Sequence, residues 1–69
     1  MDVKAKIGKR IRELRERANM SQKELALSSD LDRSYIPSVE NGKRNISIVN
    51  LEKIAKALGV TLSELLNGV

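Results

Sequence analysis

Apolar residues recur at Val3, Ile7, Ile11, Leu14 and Ala18, at spacings of four, four, three and four. That rhythm places them on one face of an amphipathic helix. Lys4, Lys6, Lys9, Arg10, Arg12 and Arg17 fall on its other side. Glu13 precedes Arg17 by four residues, a pairing that mildly supports a helix. Asn19, which tolerates left-handed backbone, is the expected stop. The cationic side reads as a solvated face rather than a ligand patch.

After Met20 the pattern shortens into two small helices joined by a tight turn. Ser21 and Glu24 have the spacing of a reciprocal capping box. This predicts a second helix over about 22–28, with Leu25 and small Ala26 inward. Ser29, Asp30 and Leu31 form the turn. Asp32 is a good N-cap, with Leu31 and Ile36 at staple spacing. A third helix is expected from about Arg33 to Asn41, with Ile36 and Val39 inward. Asn41-Gly42 stops it, since glycine takes left-handed backbone without Cβ strain. A polar loop, 42–46, follows.

Ser47 caps a fourth helix carrying Leu51, Ile54, Ala55 and Leu58 on one side, and Gly59 ends it. Thr61 and Glu64 repeat the capping-box spacing ahead of a last short helix, about 62–67, that offers Leu62, Leu65 and Leu66. The alternating apolar pattern of a strand is absent, as are internal repeats and flexible linkers. The expected architecture is all-α, five short helices in a single domain spanning 1–69.

The chain has 69 residues and no Cys. A core this small is marginal without a disulfide, so close helix packing or dimerisation must supply stability. No apolar run approaches the roughly 20 residues a membrane span needs, and the charged start has no signal-peptide core. A soluble, cytoplasmic protein is expected. The chain carries 13 Lys+Arg against 9 Asp+Glu, a formal charge of +4. Such a balance suits an anionic partner, nucleic acid or an acidic membrane surface. Tyr35 is the sole aromatic. That disfavours single-strand binding, which stacks bases on several rings, and leaves duplex DNA gripped through phosphates.

Three blocks, SQKELA, LDRSYIPSVENGKRNIS and NLEKIAKALGVTLSELL, together resemble the helix-turn-helix domains of the phage repressor/Cro (XRE) family. The resemblance runs from about Ile7 to Leu66, with the motif at about 21–42. Length and the block around Tyr35 and Gly42 look most like the small controller proteins of restriction–modification systems. It implies a compact five-helix, lambda-repressor-like domain that binds operator DNA, commonly as a homodimer. In such domains the second helix of the motif lies in the major groove.

Carried over by residue, the resemblance implies DNA contacts from Gln22 at the start of helix two, and from Arg33, Ser34, Tyr35 and Ser38 on helix three. Arg33 is the best base reader, because its guanidinium fork fits guanine O6 and N7. Ser34 reads or positions, and Ser38 reaches a base edge or a phosphate. For Tyr35 two readings stand: a phosphate contact through its hydroxyl, or a cover over the core edge. Lys43, Arg44 and Asn45 match positions that grip the backbone. Arg15 and Glu40 match a partly buried ion pair between helices one and three, which is structural. Leu62, Leu65, Leu66 and Val69 are candidates for a dimer interface, with Leu62 expected inside and part of the rest shared with a partner.

Two residues depart from the family pattern. Pro37 falls about five residues into helix three, where its ring would clash with the carbonyl of Arg33. Three outcomes are open: the helix kinks, its first turn widens, or it starts late with Ser34 as cap and Pro37 in its first turn, where the cost is small; a distorted start and an altered reading head are expected. Asp30 stands where glycine is usual in the turn, so modest strain is expected if its φ is positive.

A DNA-binding transcriptional regulator acting on a pseudo-palindromic operator is the leading reading. An antitoxin, or another protein-interaction module on the same fold, is the alternative, because fold alone does not settle function. With no His and no Cys, a Ser-His-Asp triad, a cysteine nucleophile and the usual zinc sites are excluded. No enzyme activity, metal, cofactor or small-molecule ligand is expected.

Overall fold

A computed structural model of the chain describes residues 2–69. Five helices follow one another: α1 (Val3–Arg17), α2 (Gln22–Ser29), α3 (Tyr35–Glu40), α4 (Ile48–Leu58) and α5 (Leu62–Leu65). Among the described residues there is no strand. α1 packs on α3, α4 and α5, while α2 packs on α3 and α4.

The helix boundaries follow local chemistry. Asp2 accepts a hydrogen bond from the Ala5 N–H at 2.9 Å and so caps α1, a start signal the apolar pattern does not carry. Asn19 has φ 57° beyond the end of that helix. The box at Ser21 forms in both directions: Glu24 N–H donates to Ser21 Oγ at 3.0 Å, and Ser21 N–H donates to Glu24 Oε1 at 2.8 Å. Thr61 and Glu64 do the same ahead of α5. Gly59 closes α4 with φ 74°. Ser29 belongs to α2 rather than to the turn; it is buried, and its hydroxyl donates to Leu25 O at 2.6 Å. Asp30 holds the left-handed conformation, φ 56°, ψ 44°.

The third helix is shorter than the sequence suggests. It starts at Tyr35, not Arg33, and ends at Glu40. Pro37 is therefore its third residue. The N–H missing from proline at that position has no partner inside the helix anyway, so its cost there is small. Asp32 does not cap α3. Its carboxylate accepts from the N–H and the hydroxyl of Ser34, two residues on, and its carbonyl accepts from Tyr35 N–H at 3.0 Å. Asp32 to Tyr35 is a hydrogen-bonded turn that delivers Ser34 to the helix as N-cap, with no side-chain capping bond.

Ile11, Leu25, Ala26, Ile36, Val39, Leu51, Ile54, Ala55 and Leu65 form the core. Burying each large aliphatic side chain contributes roughly 1.5–3 kcal/mol. The α1 stripe is shorter than its periodicity implies. Ile11 is buried and Ile7 and Leu14 partly so, but Val3 and Ala18 are exposed. Val3 precedes Ala5, where α1 meets the backbone at Gly42. Further along, Gly8 is buried against the end of α3. A Cβ there would stand 2.2 Å from Val39 O and 2.8 Å from Glu40 O.

Candidate nucleic-acid interface

The start of α2 and the turn leading into α3 face each other across a shallow groove lined by Gln22, Lys23, Arg33, Ser34 and Pro37. Arg33 and Ser34 are exposed and Ser38 half-buried. Ser38 donates its hydroxyl to Ser34 O at 3.4 Å, back into its own helix. Lys23 was not among the residues expected from the sequence. Its neighbour Gln22, in the same first helical turn, is the signal that could have included it.

Behind this groove lies one hydrogen-bond cluster. Arg15 donates Nε to Glu40 Oε2 at 2.6 Å and Nη2 to Glu40 Oε1 at 3.1 Å, and its Nη1 reaches Met20 O at 2.8 Å. Gln22 Nε2 donates to Glu40 Oε1 at 3.0 Å. The bond to Glu40 raises the Arg15 pKa above its ordinary value. Gln22 is thus tied at one amide hydrogen to the Arg15–Glu40 pair, which fixes α2 against α1 and α3.

Tyr35 is half-buried. Its hydroxyl accepts from Asn50 Nδ2 at 3.3 Å, and the Arg44 guanidinium sits 4.9 Å from its ring centroid. It therefore lines the core edge and supports a cation at once. Lys43, Arg44 and Asn45 are exposed in the loop after α3. The Asp32 carboxyl lies below the usual carboxylate range. The Ser34 hydroxyl is the largest cause, then the Ser34 N–H, with Arg44 and Arg33 nearby adding to it.

Two readings of the sequence need correction. Arg10 is not simply part of a solvated face: Nε donates to Leu65 O at 3.0 Å and Nη2 to Glu64 O at 2.9 Å, so it caps the end of α5. Leu65 is fully buried in the core of one chain and has no area left for a dimer interface. Leu62, expected inside, is only half-buried, as is Leu66, and Val69 is exposed. In a helix of four residues, one step of about 100° decides which leucine faces in. Ile48 and Val49, at the start of α4, are also exposed and were not singled out by the pattern.

Among the described residues no acidic cluster has the makings of a metal site, and no helix is long and apolar enough to cross a membrane. A helix start flanked by exposed cations, braced through a second helix by a partly buried ion pair, defines a duplex-DNA-binding helix-turn-helix domain. The chain belongs to the helix-turn-helix family, whose model matches residues 11–65, and is a DNA-binding transcriptional regulator rather than an enzyme. It is 51% identical over 69 residues to control protein C.MunI of a Mycoplasma species, spanning 99% of this chain and 93% of that one. Control protein C.BamHI of Bacillus amyloliquefaciens is 45% identical over 67 residues, 96% and 83% of the two chains. The crystal structure of the restriction–modification controller protein C.AhdI from Aeromonas hydrophila superposes with a TM-score of 0.88 at 50% identity, covering 90% of this chain and 94% of that one.

Proposed function

We propose that this chain, acting as one helix-turn-helix domain over 1–69, is the controller protein of a restriction–modification system. It binds a pseudo-palindromic operator as a homodimer in the cytoplasm. The observation that carries the reading is the groove in which Arg33 and Ser34 stand beside Gln22 and Lys23. The names of its relatives support the assignment to such a system.

In this reading the Arg33 guanidinium reads guanine O6 and N7 in the major groove. Gln22, held at one side by Glu40, uses its remaining amide hydrogen on a phosphate. Lys43, Arg44 and Asn45 anchor the backbone on the far side, with Arg44 braced over Tyr35. Leu62, Leu66 and Val69 supply the dimer contact, so the two reading heads meet half-sites about one helical turn, roughly 34–36 Å, apart.

Selection of bound sequences from random duplex DNA tests all of this together. The expected product is an inverted repeat with a guanine in each half-site and a fixed spacing. Recovery of unrelated sequences, or of a single unrepeated site, overturns the proposal.

A further inference from the structure

Ser34 has one hydroxyl hydrogen, and it is already used. It donates to Asp32 Oδ1 at 2.5 Å, and the Ser34 N–H donates to the same oxygen at 2.8 Å. What Ser34 offers outward is lone pairs alone. Asp32 stands exposed beside it with Oδ2 uncommitted among the described residues. The two side chains therefore form an acceptor-only surface on an otherwise cationic face, next to the donor Arg33.

We propose that Asp32 and Ser34 determine specificity by reading an exocyclic amino group, N4 of cytosine or N6 of adenine, at or beside the base pair read by Arg33. The inference rests on the major-groove reading of this helix start given above. A phosphate presents only acceptors and negative charge, so it cannot be the partner of these two oxygens. In the major groove the hydrogen-bond donors are the cytosine N4 and adenine N6 amino groups, whereas guanine O6 and N7 and thymine O4 are acceptors. A carboxylate placed there favours the amino bases and disfavours guanine and thymine, whose groove edges present acceptors to it. Its ionised form is secured on the spot. Ser34 donates to it twice, and Arg44 and Arg33 lie close enough to favour the charge. Ser38 points its hydrogen back to the Ser34 carbonyl, so it supplies no competing donor.

Sequence selection from random duplexes with the native protein, Asp32→Asn, Ser34→Ala and Arg33→Ala tests this. The native protein is expected to select cytosine or adenine at one position per half-site. Asp32→Asn, which adds an amide donor, is expected to lose that preference and admit guanine or thymine. Ser34→Ala is expected to weaken it. On the native site, replacing the chosen base by an analogue that lacks the amino group is expected to reduce affinity about tenfold for the native protein, and to have little effect on Asp32→Asn. Thermal melts establish that each variant is folded, and the base-analogue arm needs no variant at all. If Asp32→Asn and Ser34→Ala select the native sequence unchanged while Arg33→Ala does not, this proposal fails and the groove reading stands. If Arg33→Ala also selects it unchanged, the groove reading fails with it. A native protein indifferent to loss of the amino group overturns the proposal outright.

Discussion

Arg15 holds both carboxylate oxygens of Glu40, at 2.6 and 3.1 Å, and the Glu40 side chain is only 3% exposed. The pair joins α1 to the end of α3, and Gln22 brings α2 to the same carboxylate. A partly buried pair of this kind adds little net stability over an apolar substitute, but removing one partner strands the other charge in a poorly solvated place. Glu40→Ala is expected to cost about 3 kcal/mol, read as a lower urea midpoint with unchanged slope. Arg15→Ala should cost a similar amount, and the double variant less than the sum of the two singles.

Gly8 reverses the usual rule for glycine in a helix. In an exposed helix interior Gly→Ala stabilises by about 1 kcal/mol. Here the added Cβ would meet the carbonyl oxygens of Val39 and Glu40 at 2.2 and 2.8 Å, and backbone cannot swing aside as a flexible side chain does. Gly8→Ala is expected to destabilise by about 2–3 kcal/mol. It should also disturb Glu40 and, through it, Gln22. Unfolding in urea measures the first effect; a loss of DNA affinity in a variant still folded measures the second.

Proline in a helix interior costs about 3 kcal/mol, so replacing it there should give a large gain. Pro37 instead occupies the third position of α3, after a turn closed by Tyr35 N–H on Asp32 O. Pro37→Ala is expected to change stability by less than about 1 kcal/mol, since the main effect left is extra freedom of the unfolded chain. A gain of several degrees in melting temperature would show that the ring strains the helix after all.

What the sequence disclosed divides by distance along the chain. The capping boxes at Ser21 and Thr61, the left-handed Asn19 and the stop at Gly59 each depend on residues within about one turn. They could be read from spacing alone. The Arg15–Glu40 pair spans 25 positions and came only through likeness to a family. Arg10 on the carbonyls of Glu64 and Leu65, Asn50 on the Tyr35 hydroxyl and Gly8 against α3 have no local signature, because each exists only once the helices have packed. Asp32 misled for a different reason: its preference for capping was right, but the group it caps is the turn at Ser34 rather than the helix.

Acid should weaken the fold through its caps. The Glu24 carboxyl is lowered by the Ser21 N–H and hydroxyl, Glu64 by those of Thr61, and Asp32 by the hydroxyl and N–H of Ser34. A carboxyl whose pKa is lower in the folded chain than in the unfolded one binds protons preferentially when unfolded as pH falls. Its contribution is complete above the unfolded value, about 4 for these groups, and disappears as pH drops through the folded value. With no His in the chain, no side chain has an unperturbed pKa between about 5 and 8. The urea midpoint is expected to be nearly flat from pH 7 to about 5 and to fall below about 4. The Glu24→Gln, Glu64→Gln double variant, which can still form both boxes, should show a shallower fall.

Arg33 and Arg44 should separate under salt. Arg33 lines the groove beside Gln22 and Ser34, whereas Arg44 lies exposed over Tyr35 in the loop beyond α3. A base contact discriminates among sequences and releases few counterions; a phosphate contact does the reverse. Arg33→Ala is expected to cost about 1–3 kcal/mol on the preferred site and to relax selection at one base pair. Arg44→Ala should weaken all sequences alike and lower the slope of log K against log salt by about 1 per subunit. Fluorescence anisotropy at four or five salt concentrations, on specific and scrambled duplexes, reads both quantities. Should the two variants exchange behaviours, α3 is docked the other way round, with its loop toward the bases and Arg33 on the backbone.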